Sequence, residues 1–432
     1  MYNPSLTESI LIRGGRVIDP AHGRDETADV LIVDGVIQAV GRLEFTAQCR
    51  VIEAEGLVVA PGLVDMHVHL REPGQEYKED IASGTRAAAA GGVTSVACMP
   101  NTQPVADDLS VIGYIQERAR QSGVVRVFPV GAITKGLQGQ VLTEMGLLQR
   151  AGCVAFSDDG RPVSDSGVMR KALEYSRMFS ALLIQHAEEP SLSGGCMHEG
   201  IVSSRLGLPG IPSESESVMV DRDIRLVALT GGRYHVAHLS TRQAVVAVEQ
   251  ARRQGLPVSC EVTPHHFSLT DEAVIGYDTD AKMSPPLRST TDRQALLDGL
   301  AQGVITVIAT DHAPHDEENK RVEFCRAANG VIGLETLLPV SLELVRDGVM
   351  SLSACLAAMS CHPARLLGIP HGTLEVGRAA DVVLFDPEES WIVDARQMQS
   401  KSKNSCFHGR RVKGRVKQTL VAGRVVYTDE GR

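Results

Sequence analysis

The chain has 432 residues, 43% hydrophobic and 22% charged, enough for one large domain plus a smaller one in a soluble globular protein. A formal net charge of −10 argues against a nucleic-acid-binding surface, which is normally basic, and leaves room only for a local basic pocket around an anionic ligand. No apolar run reaches membrane-spanning length, residues 1–5 lack the basic start of a secretory signal, and nine scattered cysteines without a Cys-x-x-Cys pair predict reduced thiols in the cytoplasm.

Residues 10–18 read as strand, glycine turn at Gly14-Gly15, strand, and residues 30–40 as a hairpin turning at Asp34-Gly35. Apolar strand-like runs follow at 63–70, 93–99, 124–131, 153–157, 182–186, 233–239, 257–263 and 304–310. Most are separated by helical stretches, such as 82–90, 111–120, 168–179 and 241–253. Near the finish, 381–385 is a further strand and 419–427 a further hairpin. The Lys/Arg-rich stretch 401–417 lies beside these strands and reads as a solvated edge. The pattern predicts an α/β protein: a (β/α)8 TIM-type barrel over 61–370, with a small β-sandwich domain formed by both termini, 1–60 and 371–432. A doubly wound sheet fits less well, because no Gly-x-Gly-x-x-Gly turn is present.

The first barrel run, Leu63-Val64-Asp65-Met66-His67-Val68-His69-Leu70, carries the central motif. Strand alternation sets Asp65, His67 and His69 on one face and Val64, Met66 and Val68 on the other. Two imidazoles so spaced suit a single metal ion, although 14 histidines make one such spacing an easy accident. Later runs end in the same chemistry: Ser157-Asp158-Asp159-Gly160 after the fourth, His186 at the fifth, His238 at the sixth and Asp311 at the eighth. Taken singly these are core histidines, a turn or helix caps. Their recurrence at corresponding strand ends predicts a metal site, and six ligands suit two ions sharing a bridging carboxylate and a bridging hydroxide. Such a hydroxide attacks an acyl or amide carbon near neutral pH, with Asp311 as the general acid/base. His235, of opposite parity to His238, is expected to face the helices; His265 and His266, after the seventh run, are either extra ligands or, the favoured reading, groups that give support or packing.

Arg71, two residues past His69, is set to grip a carboxylate in a bidentate pair. Asn101 after the second run and His315 after the eighth add polar contacts at the same end. An anionic cyclic amide is the substrate these groups suggest. The polar stretch 315–330 is a candidate mobile lid.

Six motifs carry a family resemblance: Asp65-Met66-His67-Val68-His69-Leu70-Arg71-Glu72-Pro73-Gly74, Met99-Pro100-Asn101-Thr102, Ser157-Asp158-Asp159-Gly160, His186-Ala187-Glu188-Glu189, His238-Leu239-Ser240 and Thr310-Asp311-His312-Ala313-Pro314-His315. They span most of the chain and resemble the bacterial class I dihydroorotases of the amidohydrolase superfamily. The resemblance implies zinc-dependent, reversible cyclisation of N-carbamoyl-L-aspartate to L-dihydroorotate and water, the third step of pyrimidine synthesis. It implies two Zn2+ held by His67, His69, His186, His238 and Asp311 with Asp159 bridging, Asp158 being the alternative bridge. It carries substrate contacts onto His69, Arg71, Asn101 and His315, with backbone contacts near Asn329 and Gly330. The family usually has asparagine as a substrate contact before Pro285-Pro286-Leu287-Arg288; this chain has Ser284 there, a shorter side chain with one hydroxyl, expected to contact substrate with a water bridging the gap. A homodimer and a complex with aspartate transcarbamoylase are partner states that the resemblance leaves open. Rival readings are a hydantoinase, dihydropyrimidinase or allantoinase, relatives that generally use a bridging lysine, and a non-catalytic relative kept as a scaffold.

Overall fold

A computed structural model of the chain describes residues 9–44 and 49–431; residues 1–5, discussed above for targeting, lie outside them. Eight parallel strands follow the apolar runs in order: Leu63–Val68, Val93–Cys98, Arg126–Gly131, Ala155–Ser157, Leu182–Gln185, Arg233–Val236, Val258–Val262 and Val307–Ile308. Each pairs with its sequence neighbour, and an isolated parallel bridge from Val68 to His312 joins the last to the first. Thr310 reinforces that closure, donating from its hydroxyl and its backbone N–H to the Asp65 carboxylate at 2.5 and 3.2 Å.

The strands are continuous apolar runs because both of their faces are covered. Val64, Met66, Ala97, Val130, Ala155, Ile184, Ala237 and Val307 fill the barrel, while Leu63, Val68, Leu183, Val236 and Val262 pack outward among the helices. The helices begin at side chains that accept their free N–H groups: Asp80 before Ile81–Ala90, Asp108 before Leu109–Ser122, Asp165 before Ser166–Ser176 and Thr241 before Arg242–Arg253. In the last of these Ala244, Val245, Val248 and Ala251 are buried, the spacing of one helix face.

The strands of both termini link into one eight-stranded sheet with its own core, including Ile12, Val30, Ile32, Val59, Leu384 and Leu420. Its seam is Val58–Pro61, parallel to Ile10–Asp19 on one side and antiparallel to Val382–Ile392 on the other. One residue later the barrel begins, and Arg126 of the third barrel strand reaches back to Asp381 through two 3.1 Å bonds. Among the described residues no helix is long and apolar enough to cross a membrane.

Several expectations need correction. Gly14-Gly15 is not a turn: Ile10–Asp19 is one strand with a register shift between Ile12 and Gly15, a bulge that Gly14 accommodates at φ 73°. Asp34-Gly35, at φ 53° and 74°, is the hairpin turn predicted. Cys196 and Cys325 form a disulfide despite the expectation of reduced thiols; 129 residues separate them, so no local spacing announced the pair. The stretch 401–417 divides. Arg411–Val421 is a strand, but residues 400–404 lie against the barrel: Ser400 Oγ and Lys401 N donate to the buried Glu79 carboxylate, and Lys401 pairs with Asp80.

Candidate metal centre

Asp159 lies at the middle of the strand-end cluster. Its Oδ1 is 3.3 Å from His67 Nε2 and 3.8 Å from both His186 Nδ1 and His238 Nε2, and its Oδ2 is 3.4 Å from His69 Nε2. Asp311 Oδ1 closes the other side at 3.0 Å from His69 Nε2 and 3.4 Å from His67 Nε2. All six candidate ligands named from the sequence therefore converge. Asp158 does not: its carboxylate accepts Ile133 N–H, Thr134 N–H and the Thr134 hydroxyl, bracing the loop after the third strand.

The ring orientations are set from behind. Glu261, on the seventh strand, lies 2.6 Å from His67 Nδ1, so Nε2 faces the cluster. Asn101 Oδ1 lies 2.8 Å from His69 Nδ1, and Glu188 Oε2 lies 3.2 Å from His186 Nε2, leaving Nδ1 of that ring inward. Carboxylates and amides behind imidazoles fix the tautomer that presents a lone pair to an ion. His67 Nε2 and Asp159 Oδ1 are buried and have no hydrogen-bond partner, which is costly for groups of this polarity and fits them to a cation between them. Two overlapping triads, His67 with Asp159 and His238, and His67 with His69 and Asp311, have their ligand atoms within 4.8 Å of one another. Histidine nitrogens with carboxylate oxygens are a donor set for zinc or a similar divalent ion.

By themselves, the acids and imidazoles of the cluster stabilise one another's charged forms. Burial alone would lower the His67 pKa, yet Asp159, Glu261 and Asp311 hold it well above its ordinary value. Burial would raise Asp159 and Asp311, but the imidazoles, His67 first, hold both carboxylates well below theirs. Glu261 and Glu188 are likewise held down to about 2 against burial, chiefly by His67 for the first and His186 for the second.

Arg71 sits beside the cluster at φ 61°, its side chain buried. Nε donates to the Pro314 carbonyl at 3.2 Å, and one terminal nitrogen is 3.4 Å from His315 Nε2. Neighbouring Glu72 turns away to Arg118, and among the described residues no carboxylate lies within 4.0 Å of the Arg71 guanidinium. Burial lowers its pKa to about 10, so it remains charged. His315 is pushed down to about 2 by burial and then by Arg71, Lys78 and Lys320, and presents a neutral imidazole.

Other sequence-named groups carry duties inside the protein. Asn101 also donates to the Asp159 carbonyl at 3.3 Å, leaving one amide N–H for a ligand. Ser284 donates to Glu188 at 2.7 Å and so braces His186. The Gly330 N–H goes to the Lys282 carbonyl, and its own carbonyl accepts from Lys320 and Asn404, so the expected backbone contact at Gly330 is already occupied. A Cβ there would meet Ala313 at 2.5 Å. Asn329 adjoins Gly330 at the end of the 315–330 stretch.

Two expectations about faces fail. His235 points into the barrel, 3.3 Å from Glu261 and 2.8 Å from Ser259, because the sixth strand ends at Val236 and His238 has turned to φ 31°. Counting alternation back from His238 therefore inverted the face. Asp65 does not share a face with His67, since the register shifts between Asp65 and Val68. His266 is bonded to Thr263 and the Pro285 carbonyl, as expected of support, while His265 Nε2 is buried without a partner. Glu261 was missed altogether; an acid in Val258-Ser259-Cys260-Glu261-Val262 was the available signal. Glu261→Gln is expected to weaken metal binding by about 10–100-fold, measured by competition with a chromophoric chelator.

Comparison with known proteins fits this geometry. Residues 56–244 match a family model described as dihydro-orotase-like, and residues 228–427 one described as amidohydrolase family. A dihydroorotase of Geobacter sp. (strain M21) is 53% identical over 97% of this chain and 99% of its own length. One from Syntrophotalea carbinolica is 54% identical over the same shares. The chain belongs to the dihydroorotase family. Among solved structures, the L-hydantoinase of Arthrobacter aurescens superposes with a TM-score of 0.89 at 27% identity, covering 99% of this chain and 97% of that one. The dihydroorotase-family chain and the hydantoinase thus share one architecture.

Proposed function

We propose that this enzyme catalyses the reversible cyclisation of N-carbamoyl-L-aspartate to L-dihydroorotate and water in pyrimidine synthesis, as a class I dihydroorotase of the bacterial type acting in the cytoplasm with two zinc ions. The observation that carries the reading is Arg71, a buried cation without a carboxylate partner beside the cluster. Such a group is stable when a substrate carboxylate completes it, and dihydroorotate brings one where hydantoin and allantoin do not.

His67, His69, Asp159, His186, His238 and Asp311 would hold the ions, Asp159 lying at the middle of that set. Bound there, the metal supplies Lewis-acid polarisation of the scissile carbonyl and lowers the pKa of water. Arg71 clamps the substrate carboxylate, and His315 and Asn101 offer a neutral imidazole and an amide N–H that fix the ring. Asp311 is the proton carrier. In ring opening it takes a proton from the attacking water and delivers it to the departing ring nitrogen; in ring closure it takes a proton from the carbamoyl nitrogen and returns it to the departing water. Ser284 fits a support role through Glu188 better than a donor role to substrate, because its one proton is already committed.

Purified protein should carry zinc, lose turnover of dihydroorotate on exhaustive chelation and regain it on adding Zn2+. Hydantoin and allantoin, assayed alongside, should turn over poorly. Turnover of only those two would overturn the substrate assignment, and full activity of the chelated protein would overturn the metal.

A further inference from the structure

We infer that Cys196 and Cys325 form a thiol-oxidation site whose disulfide clasps the stretch 315–330 across the barrel mouth and is made by exchange with a low-molecular-weight disulfide. The kinetic part of this inference rests on the function proposed above; the rest stands without it.

The two cysteines lie in connections that leave non-neighbouring strands. Cys196 follows the fifth strand, ten residues after His186, and Cys325 follows the eighth, ten residues after His315. Two further strands separate these in the barrel order, yet the two Cα atoms are 5.2 Å apart, within the span of a disulfide. The bond therefore ties one side of the mouth to the other.

What it ties down is a unit that starts at His315 and is held together by its own hydrogen bonds. Inside the stretch, Lys320 Nζ donates to the Ala328 and Gly330 carbonyls at 3.0 Å each, binding its two halves together. Lys282 Nζ donates to the Cys325 and Ala327 carbonyls at 2.8 and 2.7 Å. Phe324 sits in a small apolar cluster with Cys196, Met283, Leu287 and Val331. His315, at the start of the unit, touches Arg71. In the clasped form the groups facing the substrate carboxylate are held together before substrate arrives, and preorganisation of this kind acts on binding.

The chemistry is accessible from one side. Cys325 is exposed whereas Cys196 is 7% exposed, so an incoming disulfide reaches Cys325 first. The Cys325 thiolate attacks RSSR, breaking its S–S bond and releasing RS−. The Cys196 thiolate then attacks the mixed disulfide at Cys325 and releases the second RS−. The two cysteine protons end on the two RSH molecules; the protein pair is oxidised and RSSR is reduced.

The test uses the full-length, metal-loaded enzyme equilibrated with glutathione disulfide or with excess reduced glutathione. Peptide mapping after differential alkylation should find Cys196 linked to Cys325 in the first buffer and both free in the second. Hydrogen exchange at residues 320–328 should be slower in the oxidised form by on the order of tenfold, and KM for dihydroorotate should rise several-fold on reduction with kcat nearly constant. Cys325→Ser should behave as the reduced form in both buffers, and Cys406→Ser should keep the redox response. No linked peptide under oxidation, equal exchange in the two states, or an equal KM in both would each overturn the inference. A redox-dependent exchange rate in a protein inactive on dihydroorotate would sink the proposed function and leave the clasp standing.

Discussion

Asp311→Asn should lower kcat by about 10²–10⁴-fold, the range for loss of a general acid/base, while KM changes little. Asparagine keeps the size and one potential ligand oxygen but cannot carry a proton between water and the ring nitrogen. The geometry singles out this carboxylate: its side chain is 11% exposed against 4% for Asp159, so of the two acids among the candidate ligands it is the one open to substrate. Metal content must be measured on the same sample, because Asp311 Oδ1 also lies against His67 and His69. A variant with full metal and a kcat within a factor of about 10 of the parent, well outside the range for a lost proton carrier, would show that the proton travels by another route.

Arg71→Lys is the second large effect. Lysine keeps the positive charge and removes the planar fork, so the substitution isolates bidentate geometry from charge. Disrupting one partner of a buried, hydrogen-bonded charge pair costs about 2–5 kcal/mol, or roughly 30-fold to a few thousand-fold in kcat/KM. The loss should fall on dihydroorotate and spare hydantoin, which has no carboxylate, so the ratio of the two kcat/KM values reads out the role. Equal losses on both substrates would instead mark Arg71 as a support for the Pro314–His315 backbone.

The barrel and the convergence of its candidate ligands were legible because both rest on short-range signals. Parallel strands covered on two faces must be apolar throughout, so eight runs stood out, and residues just past strand ends gather at one rim whatever the loops do. What escaped depends on local breaks in regularity or on distance along the chain. One shifted residue between Asp65 and Val68 separated Asp65 from the histidine face, and one left-handed residue, His238, inverted the reading of His235. The choice between Asp158 and Asp159 follows from the Ile133 and Thr134 N–H groups that occupy the former, a contact between loops that adjacent letters do not encode. Cys196 with Cys325, and Glu261 with His67, are likewise long-range pairings visible only once the barrel has closed.

The contacts of residues 400–404 bear on how far the barrel can stand alone. Asn404 accepts the His315 N–H and donates to the Ala313 and Gly330 carbonyls, while Glu79, held by Ser400 and Lys401, lies 3.4 Å from His312. The rim that bears Asp311 is thus buttressed by chain that arrives after the barrel is complete. A barrel excised from its C-terminal partner would lack the hydrogen bonds that residues 400–404 give to Glu79, Ala313, His315 and Gly330. The tail thus contributes hydrogen bonds to the same rim that gathers the strand-end cluster, and it is part of that rim's scaffold rather than a separate appendage.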